Sequence, residues 1–448
     1  MRIAVVGSGV SGIGAALALS QQYDVTLIEK DARFGGHANT VTVRHRQRPI
    51  AVDTGFIVFN QRNYPNLVAL LDHLGVASHW SDMSFGFSLD GGRMEYACDS
   101  LDKLFAQRRN SLSPRHLRML RDILRFNREA PALMDAGVLD GLSLGDWLAR
   151  ETYSDWFRDR FILPMGGAIW STPIAEMLGF PARSFVSFFR NHDLMTGLGA
   201  AQRWRTVTGG SREYVGRAIQ TLGKRAQAGR AVAAVTRTAG RPAVTFTDGE
   251  TVVFDHVVLA THAPQALGLM ADADMQERTI LGAFRTAPNR AVLHADPTLM
   301  PRRRKVWSSW NFLADTGRAD TGRADTGRED TGRPAPVTYW MNRLQGIDPR
   351  YPLFVSLNPT VEPDPALIFG SFSYDHPLYD AAAFAAQTAL DDIQGRGGLW
   401  YAGAWTGFGF HEDGLRAGLR VAAALGARPA WAVDVQSPAA DRFARAAE

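Results

Sequence analysis

The stretch Arg2-Ile3-Ala4-Val5-Val6-Gly7-Ser8-Gly9-Val10-Ser11-Gly12 decides the fold. A short apolar strand runs into a G-x-G-x-x-G turn, and residues 12–21 then read as a helix of small side chains. Gly7 permits the tight turn, Gly9 lets backbone approach a pyrophosphate, and Gly12 lets helix and strand pack closely. The start of such a helix, with Ser11 in its first turn, offers unpaired N–H groups and partial positive charge to phosphate. A second β-rich run, residues 24–29, completes a βαβ unit within about 30 residues. It ends on Glu29, 22 positions after Gly7. A carboxylate there accepts both ribose hydroxyls of an adenosine and repels a 2′-phosphate. Together these features predict a dinucleotide site.

Downstream, Lys30-Asp31-Ala32-Arg33-Phe34-Gly35-Gly36-His37 sets a glycine pair at fixed spacing after the acid. In these residues the chain resembles the flavin-containing amine oxidase and phytoene desaturase superfamily. The resemblance continues at Val52-Asp53-Thr54-Gly55-Phe56, and at Val232. It resumes in the run 254–261 and in the block Tyr401-Ala402-Gly403-Ala404-Trp405-Thr406 through Gly414 and Gly418. It implies an α/β fold: a Rossmann-like FAD-binding domain with a discontinuous substrate lobe made of a helical cap and a β-sheet. It also implies FAD as cofactor, held by Gly7, Gly9, Ser11, Gly12, Glu29, Gly35, Gly36, His37, Thr54, Gly55 and Phe56. Val232, Gly403, Ala404, Trp405, Asp413 and Gly414 complete that set, Val232 pairing its backbone with adenine. The closing helix is expected to point at the flavin pyrimidine edge, where its dipole favours negative charge. Runs such as residues 53–60, Ser308-Ser309-Trp310-Asn311 and residues 409–414 resemble a group of predicted NAD/FAD-binding proteins within the superfamily.

Three departures from the amine oxidase pattern shape the functional expectation. His37 stands where an arginine usually contacts the pyrophosphate, and Ala404 where an acid is common. The segment Asn289-Arg290-Ala291-Val292-Leu293 lacks the lysine that amine oxidases place near flavin N5. The expected reaction is therefore dehydrogenation or desaturation of a lipophilic small molecule, an acyl chain or isoprenoid, with hydride passing to N5. An amine oxidase, a flavin-dependent isomerase and a non-catalytic prenyl or lipid carrier of the same fold are the alternatives. His411 and Glu412 are the candidate catalytic acid–base residues, while Asp413 also reads as a cap of the last helix. Trp170, Trp204, Trp307, Trp310, Trp340 and Trp405 are candidates for a substrate tunnel or for core. No zinc-ligand spacing and no Ser/His/Asp order stand out.

A chain of 448 residues exceeds the size of one hydrophobic core. Residues 1–80, 210–285 and 388–448 are expected to form the FAD domain, and 81–209 with 286–387 the substrate domain. Within the cap, Ser113-Pro114 marks a helix start, and Leu117, Leu120, Ile123 and Leu124 recur at helical spacing. Residues 314–333 hold four tandem five-residue repeats, too polar to bury and expected to form a disordered hairpin loop. A net charge of +4 without a basic, aromatic-interleaved stripe argues against nucleic acid. Arg302, Arg303, Arg304 and Lys305 form the one dense basic run, a solvated face or a peripheral contact with anionic membrane. Cys98 is the only cysteine, which excludes an internal disulfide, an iron–sulfur cluster and a CxxC pair. No signal peptide or 20-residue apolar span is visible, so the expected location is cytoplasmic, with possible attachment to the inner membrane face. Oligomeric state leaves no mark in the sequence.

Overall fold

The computed structural model describes residues 1–192, 194–195, 203–238, 240–314 and 335–433. Ala314 apart, the repeat lies outside the described residues. Its flanking strands, Trp310–Ala314 and Val337–Trp340, pair antiparallel with Trp310 opposite Tyr339 and Phe312 opposite Val337.

Five parallel strands form the first sheet, in the order Ala226–Gln227, Asp24–Ile28, Arg2–Val6, His256–Leu259, Leu399–Tyr401. Ile3, Ala4 and Val5 in the centre and Val257, Val258 and Leu259 beside them expose nothing. That is the pattern of strands covered on both faces. Helix Val10–Leu19 is buried along its whole length. Closing helix His411–Ala424 packs on it through glycines. A Cβ on Gly14 would lie 2.4 Å from Leu415 Cδ1, and one on Gly418 2.1 Å from the Ser11 carbonyl oxygen. Two helices meet at backbone distance only where side chains are absent.

A seven-stranded sheet forms the second lobe, in the order Ile368–Leu378, Arg285–His294, Phe354–Leu357, Val337–Trp340, Trp310–Ala314, Phe85–Leu89, Met94–Ala97. Its pairs are antiparallel except Trp310–Ala314 with Phe85–Leu89. Short helices between residues 101 and 191 cap the molecule around an aromatic core that includes Phe126, Trp147, Phe157, Trp170, Phe180, Phe185 and Phe189.

The longest cap helix, Pro114–Asp135, starts as expected, with the Ser113 hydroxyl accepting from the His116 N–H. Its buried face differs from the expected leucine stripe. His116, Met119, Asp122, Phe126, Ala130 and Met134 point inward, while Leu117 and Leu124 are 45% and 68% exposed. Phe126 turns the helix this way by packing against Trp147, Phe157 and Phe189. Asp122 follows it inward because its carboxylate accepts the Ser154 N–H at 3.0 Å.

The basic run is exposed along its length, and two of its four charges are paired: Arg303 with the fully buried Glu95 and Lys305 with Asp102, while Arg304 lies over the Trp307 ring. Among the described residues no helix is long and apolar enough to cross a membrane.

Candidate functional site

Sterics fix the opening turn. Gly7 has φ +102°, and a Cβ there would sit 2.6 Å from the Ala260 carbonyl oxygen; one on Gly12 would sit 1.9 Å from the Gly7 carbonyl oxygen. Only glycine fits either place. Gly9 is different: a Cβ would meet nothing within 4 Å. The space above Gly9 is open. The helix behind it has no side-chain cap and no acid in its first turn. The glycine pair closes over this cradle, since a Cβ on Gly36 would lie 3.1 Å from Gly9 Cα. An open seat lined by backbone, at an uncapped helix start, fits a pyrophosphate.

Glu29 ends its strand 8% exposed, and its carboxylate accepts from Ser8 N–H (3.0 Å), Ser8 Oγ (2.6 Å) and Asp31 N–H (3.0 Å). Ser8 Oγ in turn accepts from Gly35 N–H at 3.1 Å. Ser8 thus ties the turn, the acid and the glycine pair together, a role its x position in the motif does not reveal. The Arg230 N–H donates to the Glu29 carbonyl, which sets the strand beginning at Val232 beside the acid.

Beyond the pair, the Phe56 N–H donates to the His37 carbonyl, and a Cβ on Gly55 would lie 2.2 Å from that oxygen. Thr54 and Asn39 both hydrogen-bond the Tyr374 hydroxyl, at 2.7 and 2.8 Å, clamping this strip to the substrate lobe. His37 donates from Nε2 to the Asp375 carbonyl (3.2 Å). Its ring lies 5.6 Å from that of His262, 5.1 Å from Tyr374 and 5.7 Å from His376. Burial, then the neighbouring His376, His262 and His411, hold His37 well below the ordinary histidine range. Burial and His262 push His376 down to about 4. Sequence reasoning missed His262 and His376, which sit in no motif and come from different elements.

At the closing turn, Gly403 is extended, and Ala404 accepts the Gly407 and Gly409 N–H groups. Trp405 is buried in core, its indole N–H donating to the Thr261 carbonyl and its ring 4.5 Å from Phe284. That position supports the turn from behind. Gly414 lies against Ser11, its Cβ position 3.0 Å from Ser11 Oγ.

The three polar residues that follow have partners of their own. His411 stacks on Phe56 at 3.7 Å and 8°, and its Nε2 is 2.7 Å from the Tyr214 hydroxyl. Burial pushes its pKa down to about 3, so the ring is neutral at ordinary pH. Glu412 accepts Asn66 N–H, Asn66 Nδ2 and Leu67 N–H at 3.0, 2.8 and 3.0 Å, capping helix Pro65–His73. Asp413 accepts Phe408 and Phe410 N–H, both at 3.0 Å, and pairs with Arg416. It caps its helix from the third position inside, not from the N-cap itself.

Asn289 is fully buried and accepts from Asn358 Nδ2, while Arg290 pairs at the surface with Glu362. Neither supplies a proton carrier.

Comparison with known proteins agrees with this geometry. The family model for flavin-containing amine oxidoreductase matches residues 10–426. Putrescine oxidase bound to putrescine superposes with TM-score 0.68 at 16% identity, covering 96% of this chain and 100% of that one. Cyclohexylamine oxidase from Brevibacterium oxydans IH-35A gives 0.65 at 17%, covering 95% and 98%. A CLA-producing fatty acid isomerase from P. acnes gives 0.65 at 16%, covering 93% and 96%. Among curated protein sequences, none matches this chain. With an open pyrophosphate seat at its first turn and a family match spanning nearly its whole length, the chain belongs to the flavin-containing amine oxidoreductases and is a flavin-dependent oxidoreductase with FAD as its cofactor.

Proposed function

We propose that this protein dehydrogenates a lipophilic small molecule, an acyl chain or isoprenoid, at FAD held between the two lobes. Bound FAD would supply the hydride acceptor. We assign the cofactor contacts to the opening turn, Glu29, the 35–37 and 54–56 strips, Val232 and the turn at 403–404. Residues 1–80, 210–285 and 388–448 are taken as the FAD domain, a division supported by the five parallel strands drawn from those stretches.

Support for an apolar substrate begins at the cap. Trp170 packs 4.7 Å from both Phe180 and Phe188; Phe180 lies 5.7 Å from Phe384, and Phe188 4.9 Å from Phe410. These rings lead to the residue before His411. Aromatic faces also attract cations, so the rings alone do not choose the substrate.

The choice rests on basicity. A primary amine arrives as an ammonium of pKa ~10.4 in water, and His411, whose pKa burial pushes down, is a poor acceptor for its proton. Glu412 and Asp413 are engaged elsewhere. A hydrocarbon that has lost hydride is a far stronger acid and can release its adjacent proton to an acceptor as weak as the Tyr214–His411 pair. The side chains then have only to position the chain and exclude water.

Anaerobic stopped-flow reduction tests the reading. Unsaturated acyl lipids or isoprenoids should bleach the bound flavin saturably, and primary amines and polyamines should not. Rapid bleaching by an amine with none by any lipid would sink it.

A further inference from the structure

The outer face of cap helix Pro114–Asp135 mixes arginines with leucines. Its exposed positions include Arg115, Leu117, Arg118, Arg121, Leu124 and Arg128. Leu117, Arg121, Leu124 and Arg128 follow at i, i+4, i+7 and i+11, which makes one straight stripe along the helix. Arg121 and Arg128 side chains are 72% and 77% exposed. Just before the helix, Leu112 is 85% exposed and Leu101 62%.

Carboxylates balance this face only in part: the helix carries five arginines against Asp122, Glu129 and Asp135. Asp122 accepts the Ser154 N–H and lies 4.0 Å from Arg121, Glu129 is shared by Arg125 and Arg128, and Asp102 by Arg108 and Lys305. Water gains nothing from leucines projecting among arginines. An anionic bilayer surface solvates both, because arginine heads reach phosphates while leucines enter the acyl boundary. A nucleic acid would answer only the charge.

We propose that this face is a peripheral membrane-docking surface for anionic phospholipid. It adjoins the run at Arg302, Arg303, Arg304 and Lys305, where Arg303 pairs with Glu95 and Lys305 shares Asp102 with Arg108. Docking there has a geometric consequence. The opposite side of the same helix places Met119, Phe126 and Met134 on the aromatic core that extends through Phe189 and Phe188 to Phe410. A lipid surface on one side of the cap would face the candidate substrate rings on the other. The proposal does not depend on the substrate: docking is read without turnover.

The test is co-sedimentation of the full chain with phosphatidylcholine vesicles containing either no phosphatidylglycerol or about one-third of it. Binding is expected only to the anionic vesicles and should weaken in high salt, as an electrostatic attachment does. Arg118→Glu with Arg121→Glu should reduce partition about tenfold or more, two charges being reversed near the surface. Leu117→Ser with Leu124→Ser should weaken it at every salt concentration, with flavin absorbance and melting temperature unchanged. Absence of binding to anionic vesicles at low salt overturns the proposal. So does binding that survives both double variants, binding lost only on reversing Arg304 and Lys305, or capture of heparin without capture of vesicles.

Discussion

Two helix starts frame the site, and they are filled in opposite ways. At Val10 the first turn holds no acid and no cap, and the space above Gly9 is open. At His411 the first turn carries Glu412 and Asp413, and both carboxylates are taken up by the chain's own N–H groups. The same dipole therefore serves two ends. A glycine-only turn leaves its donors for a ligand, whereas an acidic turn spends its charge on shape. Affinity for the cofactor should reside at the opening end and rigidity at the closing end.

The comparison breaks most easily at Gly12. Gly12→Ala drives a methyl into the Gly7 carbonyl and should cost about 3 kcal/mol or more. Flavin absorbance and melting temperature should both collapse; a yellow variant with native melting would refute the steric account.

Glu29→Ala comes next. Loss of a charged acceptor costs about 1.5–3 kcal/mol, roughly tenfold to a hundredfold in FAD dissociation constant. Because Ser8 and Asp31 also depend on this carboxylate, some stability should go with it. Unchanged affinity in equilibrium dialysis would remove Glu29 from the site.

Glu412→Ala should do the reverse. Stripping the cap from Asn66 and Leu67 should lower stability by about 1–3 kcal/mol in denaturant titration, while the variant that remains folded binds FAD as before. If instead flavin reduction stops and stability holds, Glu412 acts in chemistry.

A pH series sharpens the opening end further. Without FAD, burial keeps His37, His262 and His376 neutral by lowering their pKa values. A pyrophosphate dianion nearby raises them again, so binding takes up protons. Affinity should then fall as pH rises through the raised values, by up to about tenfold per pH unit for each proton taken up. His411, Asp375 and the hydroxyl of Tyr374 also face this cluster. His37→Arg should flatten the profile; a flat profile in the unaltered protein would place the histidines away from the phosphates.

The smallest expected effect is on the stability of Gly9→Ala. With φ −63° and no atom within 4 Å of a new Cβ, melting should stay within about 0.5 kcal/mol of the parent. FAD affinity alone should drop.

How far the sequence could be read follows from the range of the forces involved. The opening turn was legible because each glycine there answers a clash within its own neighbourhood, and Glu29 closes the same βαβ unit. Of the repeat's flanks, the β-rich run 337–340 was legible as a strand; its partner was not, since residues 304–306 form a 3-10 turn and only at Trp310 does the strand to Ala314 begin. The partners of His411 and Glu412 were not legible, because Asn66, Leu67 and Tyr214 stand roughly 200 to 350 positions from the residues they engage. Trp405 reads equally well as a ring beside flavin or a ring in core, and its contacts with Phe284 and Thr261 come from residues distant in sequence. Leu117 and Leu124 misled for another reason. Helical spacing marks a stripe but does not say which side of the helix Phe126 and Asp122 will claim.

Residues 2–6 hydrogen-bond to residues 256–259, and these in turn to residues 399–401. The helix after the first strand meets its partner only at residues 411–424, through Gly14 and Gly418. On a ribosome adding about 5–20 residues per second, the opening strand waits roughly 20–80 s for the chain that completes its sheet. Long-range parallel pairing of this kind is slow and exposes apolar strands while it waits. Ile3, Ala4, Val5 and Val6 are then an aggregation hazard in the nascent protein. Yield in a cell should depend on holdase chaperones that cover the first strand until the last helix emerges.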